Sequence, residues 1–197
     1  NFRGCDISHS YFSYANLTFA DLSQANAQHC DFSGADLTMG AIIQSKLNYA
    51  SFIGANMDRT AILEAETQRL NLSDTKFKQT VFLKADLSTA NLSNAQFELV
   101  IFIEAKLAGL DLSKQSFVLS QFMGADLTGC NFSKADLTQC NFKSACLTGA
   151  ILDDCKANNA LFVEADLTQT SLRKAQLNQA IFLQAQLVGT DLSGAKM

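Results

Sequence analysis

The sequence predicts an all-β solenoid, built from short extended pieces and turns wound into coils that stack on one another. Three observations carry this expectation. The first is a period of five that never slips. Stepping by five from Phe2 gives Ile7, Phe12, Leu17, Leu22 and onward to Leu187, Leu192 and Met197, and 37 of these 40 positions are Leu, Phe, Ile or Met. The exceptions are Ala27, Thr67 and Ala157, and 14 of the 15 Phe residues fall in this one slot. The second is the selectivity of the other slots. Two residues before each centre sits a small residue, usually Ala, as at Ala85, Ala125 and Ala135, and five of the six Cys lie there too (Cys5, Cys30, Cys130, Cys140, Cys155). One residue before the centre, 18 of 40 are Asp or Asn; Ser and Thr are common one after; nine of the ten Gly stand two after. The third is a longer rhythm, Phe recurring every 20 residues at Phe82, Phe102, Phe122, Phe142, Phe162 and Phe182.

Each element follows from these slots. An α-helix is excluded, because a step of five would carry successive centres steadily around a helix of 3.6 residues per turn, and a plain strand needs a step of two. A step of five is a short extended piece plus a turn, with Gly where φ is positive. One large and one small side chain per repeat then face inward, and stacking identical coils buries both. The 20-residue rhythm makes four repeats a coil.

The consensus A-[DN]-[LF]-[ST]-G resembles the pentapeptide-repeat proteins, whose motif is A-(D/N)-L-x-x, and the likeness runs the length of the chain. The resemblance implies a right-handed quadrilateral parallel β-helix of about ten coils, a single domain over 1–197 that is a candidate piece of something longer. At about 4.8 Å per coil the rod is roughly 48 Å long. Four departures are expected to disturb it: Leu70, Val100 and Leu110 are large in the small slot, and Gln115 places an amide in the inward slot, the expected site of a bulge or a buried water.

Composition excludes several functions. The chain has 15 basic and 19 acidic residues, a formal charge of −4, which is too balanced for a basic nucleic-acid surface, so no direct nucleic-acid binding is expected. No apolar run approaches the roughly 20 residues of a membrane span. His9 and His29 lie 20 apart in the turn slot and should stack as solvated corner residues, with no third ligand to make a metal site. The inward Cys read as small hydrophobes and Cys146 as an accessible thiol, a pattern fitting the reducing conditions of the cytoplasm, with secretion by a specialised system as the other route. The ten Asp in one repeat slot are explained by local bonds to backbone, and no nucleophile with a His partner stands out. No enzyme and no cofactor are expected.

What remains is one face. Centred on Phe102, the outward residues on both sides of each centre are apolar in coil after coil: Ala41-Ile42-Ile43, Ala61-Ile62-Leu63, Val81-Phe82-Leu83, Ile101-Phe102-Ile103, Leu161-Phe162-Val163 and Ile181-Phe182-Leu183. Gln121-Phe122-Met123 is mixed, Asn141-Phe142-Lys143 is polar, and the preceding corner adds Leu99, Leu119 and Val118. The other three faces carry polar residues there. Over eight coils such a stripe approaches about 400 Å², the size at which an exposed apolar patch marks a contact surface. The expected partner-binding residues are therefore Ile43, Leu63, Val81, Leu83, Leu99, Ile101, Ile103, Val118, Leu119, Met123, Leu161, Val163, Ile181 and Leu183. Their occupant is a protein partner, a second copy forming a dimer, or a flanking segment. Two rivals follow from the family resemblance. Some of its members mimic DNA and protect gyrase from quinolones; here the nearest acidic ridge is Glu64, Glu66, Asp86, Glu104, Asp126, Glu164 and Asp166, interrupted by Lys84 and Lys106. The other rival is a repeat module of a secreted effector or secretion-system adaptor.

Overall fold

A computed structural model describes residues 1–197. It contains strands, bridges and turns and no helix. The chain divides into two compact units, Asn1–Val100 and Ile101–Met197.

In both units the five-residue period becomes one corner per repeat. In most repeats the N–H of the small inward residue closes a turn on the carbonyl of the centre three residues before it, as in Cys5 to Phe2 (3.0 Å) and Ala145 to Phe142 (3.0 Å). The residue two after the centre has φ near +60° in corner after corner from Gly4 to Gly194, Thr89 apart, and where the turn bond is made this is the signature of a type II turn. Gly fills nine of these corners, but most belong to Gln, Lys, Glu, Asn and others with side chains. The left-handed conformation costs a non-Gly residue about 1–2 kcal/mol. It persists here because corner N–H groups are also tied to the next coil, as in His9 N to Gln28 O (2.9 Å) and Lys134 N to Asp153 O (2.9 Å).

Coils pair in parallel at 20 residues. In the N-terminal unit, β1 (Ala41–Ile43), β2 (Ala61–Leu63) and β4 (Val81–Leu83) form one three-stranded sheet, with Ile43 beside Leu63 and Leu63 beside Leu83. Strands β3 (Lys76–Lys78) and β5 (Gln96–Glu98) form a second sheet. Elsewhere the pairing is by single bridges in the same register, such as Tyr11 to Asp31 and Ser51 to Asn71, and in the C-terminal unit Lys106 to Asp126, Cys146 and Asp166 in succession.

The centres build the core. Phe12, Phe32 and Phe52 stack with ring centroids 5.1 and 4.8 Å apart in the N-terminal unit. In the C-terminal unit Phe102, Phe122, Phe142, Phe162 and Phe182 stack at 5.2, 5.0, 5.0 and 4.9 Å. The exceptions to the large slot are accommodated: Ala27 and Ala157 are fully buried, and Thr67 is buried with its hydroxyl donating to the Asp86 carbonyl at 2.7 Å.

The small slot has chemistry the sequence did not reveal. At most positions where it holds Ser, Thr or Cys, the side chain donates to the carbonyl of a centre 23 residues earlier. Ser45 reaches Leu22 (2.7 Å), Thr75 reaches Phe52 (2.7 Å), and Cys130 and Cys140 reach Leu107 (3.0 Å) and Phe117 (2.9 Å). Each such carbonyl already accepts the turn N–H, so the side chain fills its second lone pair. Inward Cys therefore act as weak donors as well as small hydrophobes.

Three expectations are corrected. Gln115 makes no bulge: the Asp136 N–H donates to its carbonyl at 2.9 Å and Ser116 pairs with Asp136 in register. Gln115 and Leu110 are only half-buried, so the amide keeps contact with solvent and needs no interior partner. Cys5 is exposed. Leu70 and Val100, by contrast, are buried as large residues in the small slot.

Candidate interaction surface

The outward slots show what is ordinary on this surface. On the polar faces the Asp or Asn before each centre receives the N–H, and frequently the hydroxyl, of the Ser or Thr two residues on. Asp126 accepts from Thr128 N (3.1 Å) and Oγ1 (2.7 Å), Asp136 from Thr138 N (3.1 Å) and Oγ1 (2.6 Å), and Asn91 from Ser93 in the same way. These bonds hold Asp6, Asp31, Asp111, Asp166 and Asp191 below the ordinary carboxylate range, led in each case by the hydroxyl two residues ahead. Asp21, bonded by Ser23 and paired with Arg3 at 2.9 Å, is lowered to about 2. The repeated carboxylates are thus turn locks.

The apolar face departs from that pattern. In the N-terminal unit Ile43, Leu63 and Leu83 occupy the position that Ser or Thr holds elsewhere, and they are register neighbours through β1, β2 and β4. Val81 stands across the Phe82 centre from Leu83, and all four are half-buried, as is Leu99 at the corner. In the C-terminal unit Ile101, Ile103, Val118, Met123, Leu161 and Val163 are half-buried, and Leu119, Ile181 and Leu183 are exposed by 44%, 46% and 63%. The polar coil at Asn141 and Lys143 lies between Met123 and Val163, and the Lys143 ammonium sits 3.9 Å from Glu164. The shallow hollow bordered by Ile103, Met123 and Lys143 belongs to this face.

The sequence-predicted acidic ridge is divided and partly neutralised. Within the N-terminal unit Glu64 pairs with Lys84 at 3.9 Å and Glu66 accepts from Asn48 at 3.0 Å. In the C-terminal unit Asp126 and Asp166 are engaged in their turns and Glu164 faces Lys143.

Other side chains fall where the period put them, with additions. His9 and His29 stack at 4.8 Å, and the column continues through Tyr49 at 4.8 Å to the Arg69 guanidinium, 5.8 Å above the Tyr49 ring. All six Cys are free thiols. Burial raises Cys130 to about 11 and Cys155 to about 12 and pushes Cys140 up further, while Cys146 is half-buried between Thr128 and Thr148. The most exposed aromatic residues were not foreseen: Tyr11 and Tyr14, each 85% exposed, and Phe19 at 70%. Their signal was present, since Phe19 is the one Phe outside the centre slot and Tyr11 stands where Asp or Asn is usual.

Parallel coils of four five-residue sides, a core of centre residues and no helix define a β-helix repeat protein. The chain belongs to the pentapeptide repeats family, whose repeats match in 8 copies over residues 1–38, 68–102, 84–117, 120–156 and 160–197. Among solved structures it is similar to HetL, a pentapeptide repeat protein involved in heterocyst differentiation regulation from the cyanobacterium Nostoc sp. That match has a TM-score of 0.89 at 24% identity, covering 98% of this chain and 87% of HetL. It is also similar to a trypsin-treated form of QnrB1, a plasmid-mediated fluoroquinolone resistance protein, with a TM-score of 0.50 at 16% identity over 97% of this chain and 88% of that one. Both likenesses concern the fold. No curated protein matches the chain in sequence. No helix is long and apolar enough to cross a membrane.

Proposed function

We propose that the chain is a non-enzymatic interaction module that binds a protein partner through the apolar face. Its partner-binding residues are Ile43, Leu63, Val81, Leu83 and Leu99 in the N-terminal unit and Ile101, Ile103, Met123, Leu161, Val163, Ile181 and Leu183 in the C-terminal unit, with Val118 and Leu119 at the corner. The observation that carries the reading is the run of Ile, Leu and Val in outward positions on this face, coil after coil, where Asp/Ser pairs lock the turns elsewhere; the other faces hold only isolated ones such as Ile53 and Ile151. Strand propensity alone would have spread these residues over all four faces.

Family membership supports the absence of catalysis, and the Asp residues that would serve acid–base chemistry are committed to turns. The winding proposed within each unit is right-handed. Six free thiols, four of them buried, suit a reducing compartment such as the cytoplasm.

The test is binding by the double variant Ile101→Ser, Ile103→Thr. Neither side chain enters the core, so the circular dichroism spectrum and melting profile should match the parent. Proteins retained on the immobilised parent chain and identified by mass spectrometry should be lost from the variant. Retention of the same proteins by both would remove this face from the interface.

A further inference from the structure

The apolar face of the C-terminal unit is interrupted by polar groups whose hydrogen-bonding capacity the chain leaves unused. Ile101, Gln121, Asn141, Leu161 and Ile181 are successive bridge partners along one side of it, so Gln121 and Asn141 stand between Ile101 and Leu161. Across the Phe142 centre, Lys143 stands between Met123 and Val163 with its side chain 49% exposed. Its ammonium lies 3.9 Å from one oxygen of Glu164, too far for a hydrogen bond, and the other oxygen of that carboxylate accepts from Ser144 Oγ at 2.9 Å. Asn141 Oδ1 accepts the Lys143 backbone N–H at 3.0 Å, while the Asn141 amide N–H groups have no partner in the chain. Gln121 donates to the Leu119 carbonyl at 3.1 Å and keeps its own oxygen open. Water satisfies these groups on the free surface. Under a partner that covers Ile101, Ile103, Leu161 and Val163 water is excluded, and a desolvated ammonium without a counter-charge is strongly unfavourable. The face therefore rejects a partner that is apolar along its whole length.

Building on the apolar-face reading above, we propose that this part of the face takes one amphipathic helix of a protein partner, with a Glu or Asp in the middle of its apolar stripe to meet Lys143 and Asn141. The spacing favours a helix. The row Ile103, Met123, Lys143, Val163, Leu183 advances one coil at a time, placing its members about 4.8, 9.6, 14.4 and 19.2 Å from the first. Helix positions i+3, i+7, i+10 and i+14 share one face and rise about 4.5, 10.5, 15 and 21 Å above position i. Each member of the row then meets one helix side chain, and position i+7 falls over Lys143. A strand laid along the row would repeat on one face about every 6.6 Å and lose step by its second side chain. A carboxylate at i+7 has two oxygens, enough to accept from both the ammonium and the Asn141 amide. Beside the row, Gly124 leaves the corner without a side chain, and the hollow bordered by Ile103, Met123 and Lys143 receives the apolar side chain at i+3. The buried ion pair is screened little by salt, so it adds selectivity without making binding strongly salt-dependent.

Fluorescence-anisotropy titrations of residues 1–197 against three labelled helical peptides test the inference. Each peptide carries Leu at i, i+3, i+10 and i+14, and the three differ only in Glu, Leu or Lys at i+7. The Glu peptide should bind tightest, by about tenfold or more over the Lys peptide. Lys143→Glu should invert the order of those two. Lys143→Gln, which keeps the bulk without the charge, should bring them close together. A Leu peptide that binds as tightly as the Glu peptide, an order that Lys143→Glu leaves unchanged, or no binding by any of the three would overturn the proposal. Ile101→Ser with Ile103→Thr should weaken all three peptides. If it does so while the peptides show no order among themselves, the acidic contact falls and the apolar face stands. If the peptides bind that double variant as tightly as the parent, the apolar face falls with it.

Discussion

Replacing Phe142 by Ala should be among the most damaging single changes in the C-terminal unit. Its ring is fully buried, stacked between Phe122 and Phe162 with both centroids 5.0 Å away and lying edge-on to Phe132 at 6.5 Å. Removing about 160 Å² of apolar surface at about 25 cal/mol per Å² costs roughly 4 kcal/mol. That agrees with the range of about 3–5 kcal/mol for buried Phe truncations, and loss of two stacked contacts places it toward the upper end. The control is Asp126→Ala on the surface, which loses the two bonds from Thr128 and should cost about 1 kcal/mol. The assay is a urea titration of both variants beside the parent, with the slope checked for constancy. Equal losses, or a loss below about 2 kcal/mol for Phe142→Ala, would refute the division into inward centres and outward turn locks.

Three further outcomes follow from particular side chains. Gly129→Ala should destabilise by about 1 kcal/mol in the same titration; a Cβ there meets nothing within 4 Å, so strain at φ +65° is the whole effect. With a thiol reagent under native conditions, exposed Cys5 should react first and half-buried Cys146 next, while Cys30, Cys130, Cys140 and Cys155 wait for unfolding. Thermal stability should fall on acidification below about pH 4. The carboxylates of Asp21, Asp31 and Asp166 are lowered on folding, so their contribution is complete above the unfolded value of about 3.9 and is lost as pH falls through the folded values, about 2 for Asp21. A melting temperature flat from pH 5 to pH 2 would contradict the turn-lock role of these carboxylates.

Much of the fold was legible because each coil repeats one local rule. The centre slot gave the core down to individual rings, and the 20-residue rhythm placed Ile43 beside Leu63 and His9 against His29. The Asp-x-Ser/Thr bonds followed from known turn chemistry. What escaped depends on the third dimension. Left-handed corners at Gln139 or Lys134 carry no residue signature, because the next coil holds them in place. The hydroxyls of Ser45 and Thr75 look like flaws in an apolar slot until the carbonyl 23 residues away is seen beside them. Gln115 suggested a bulge because the slot was known but its burial was not. The apolar face was visible as composition; its half-burial, with the greatest exposure at Leu183, was not.

Calorimetry on a retained partner decides whether the apolar face does the binding. Parent and Ile101→Ser, Ile103→Thr chains would be titrated at low and high salt. Losing two apolar side chains from an interface should weaken binding by more than about tenfold, at roughly 1–2 kcal/mol each. The parent's affinity should hold as salt rises, because apolar burial is not screened. An unchanged affinity in the variant, together with a steep fall with salt in the parent, would contradict the account and turn attention to the charged ridge around Glu64, Asp126 and Asp166.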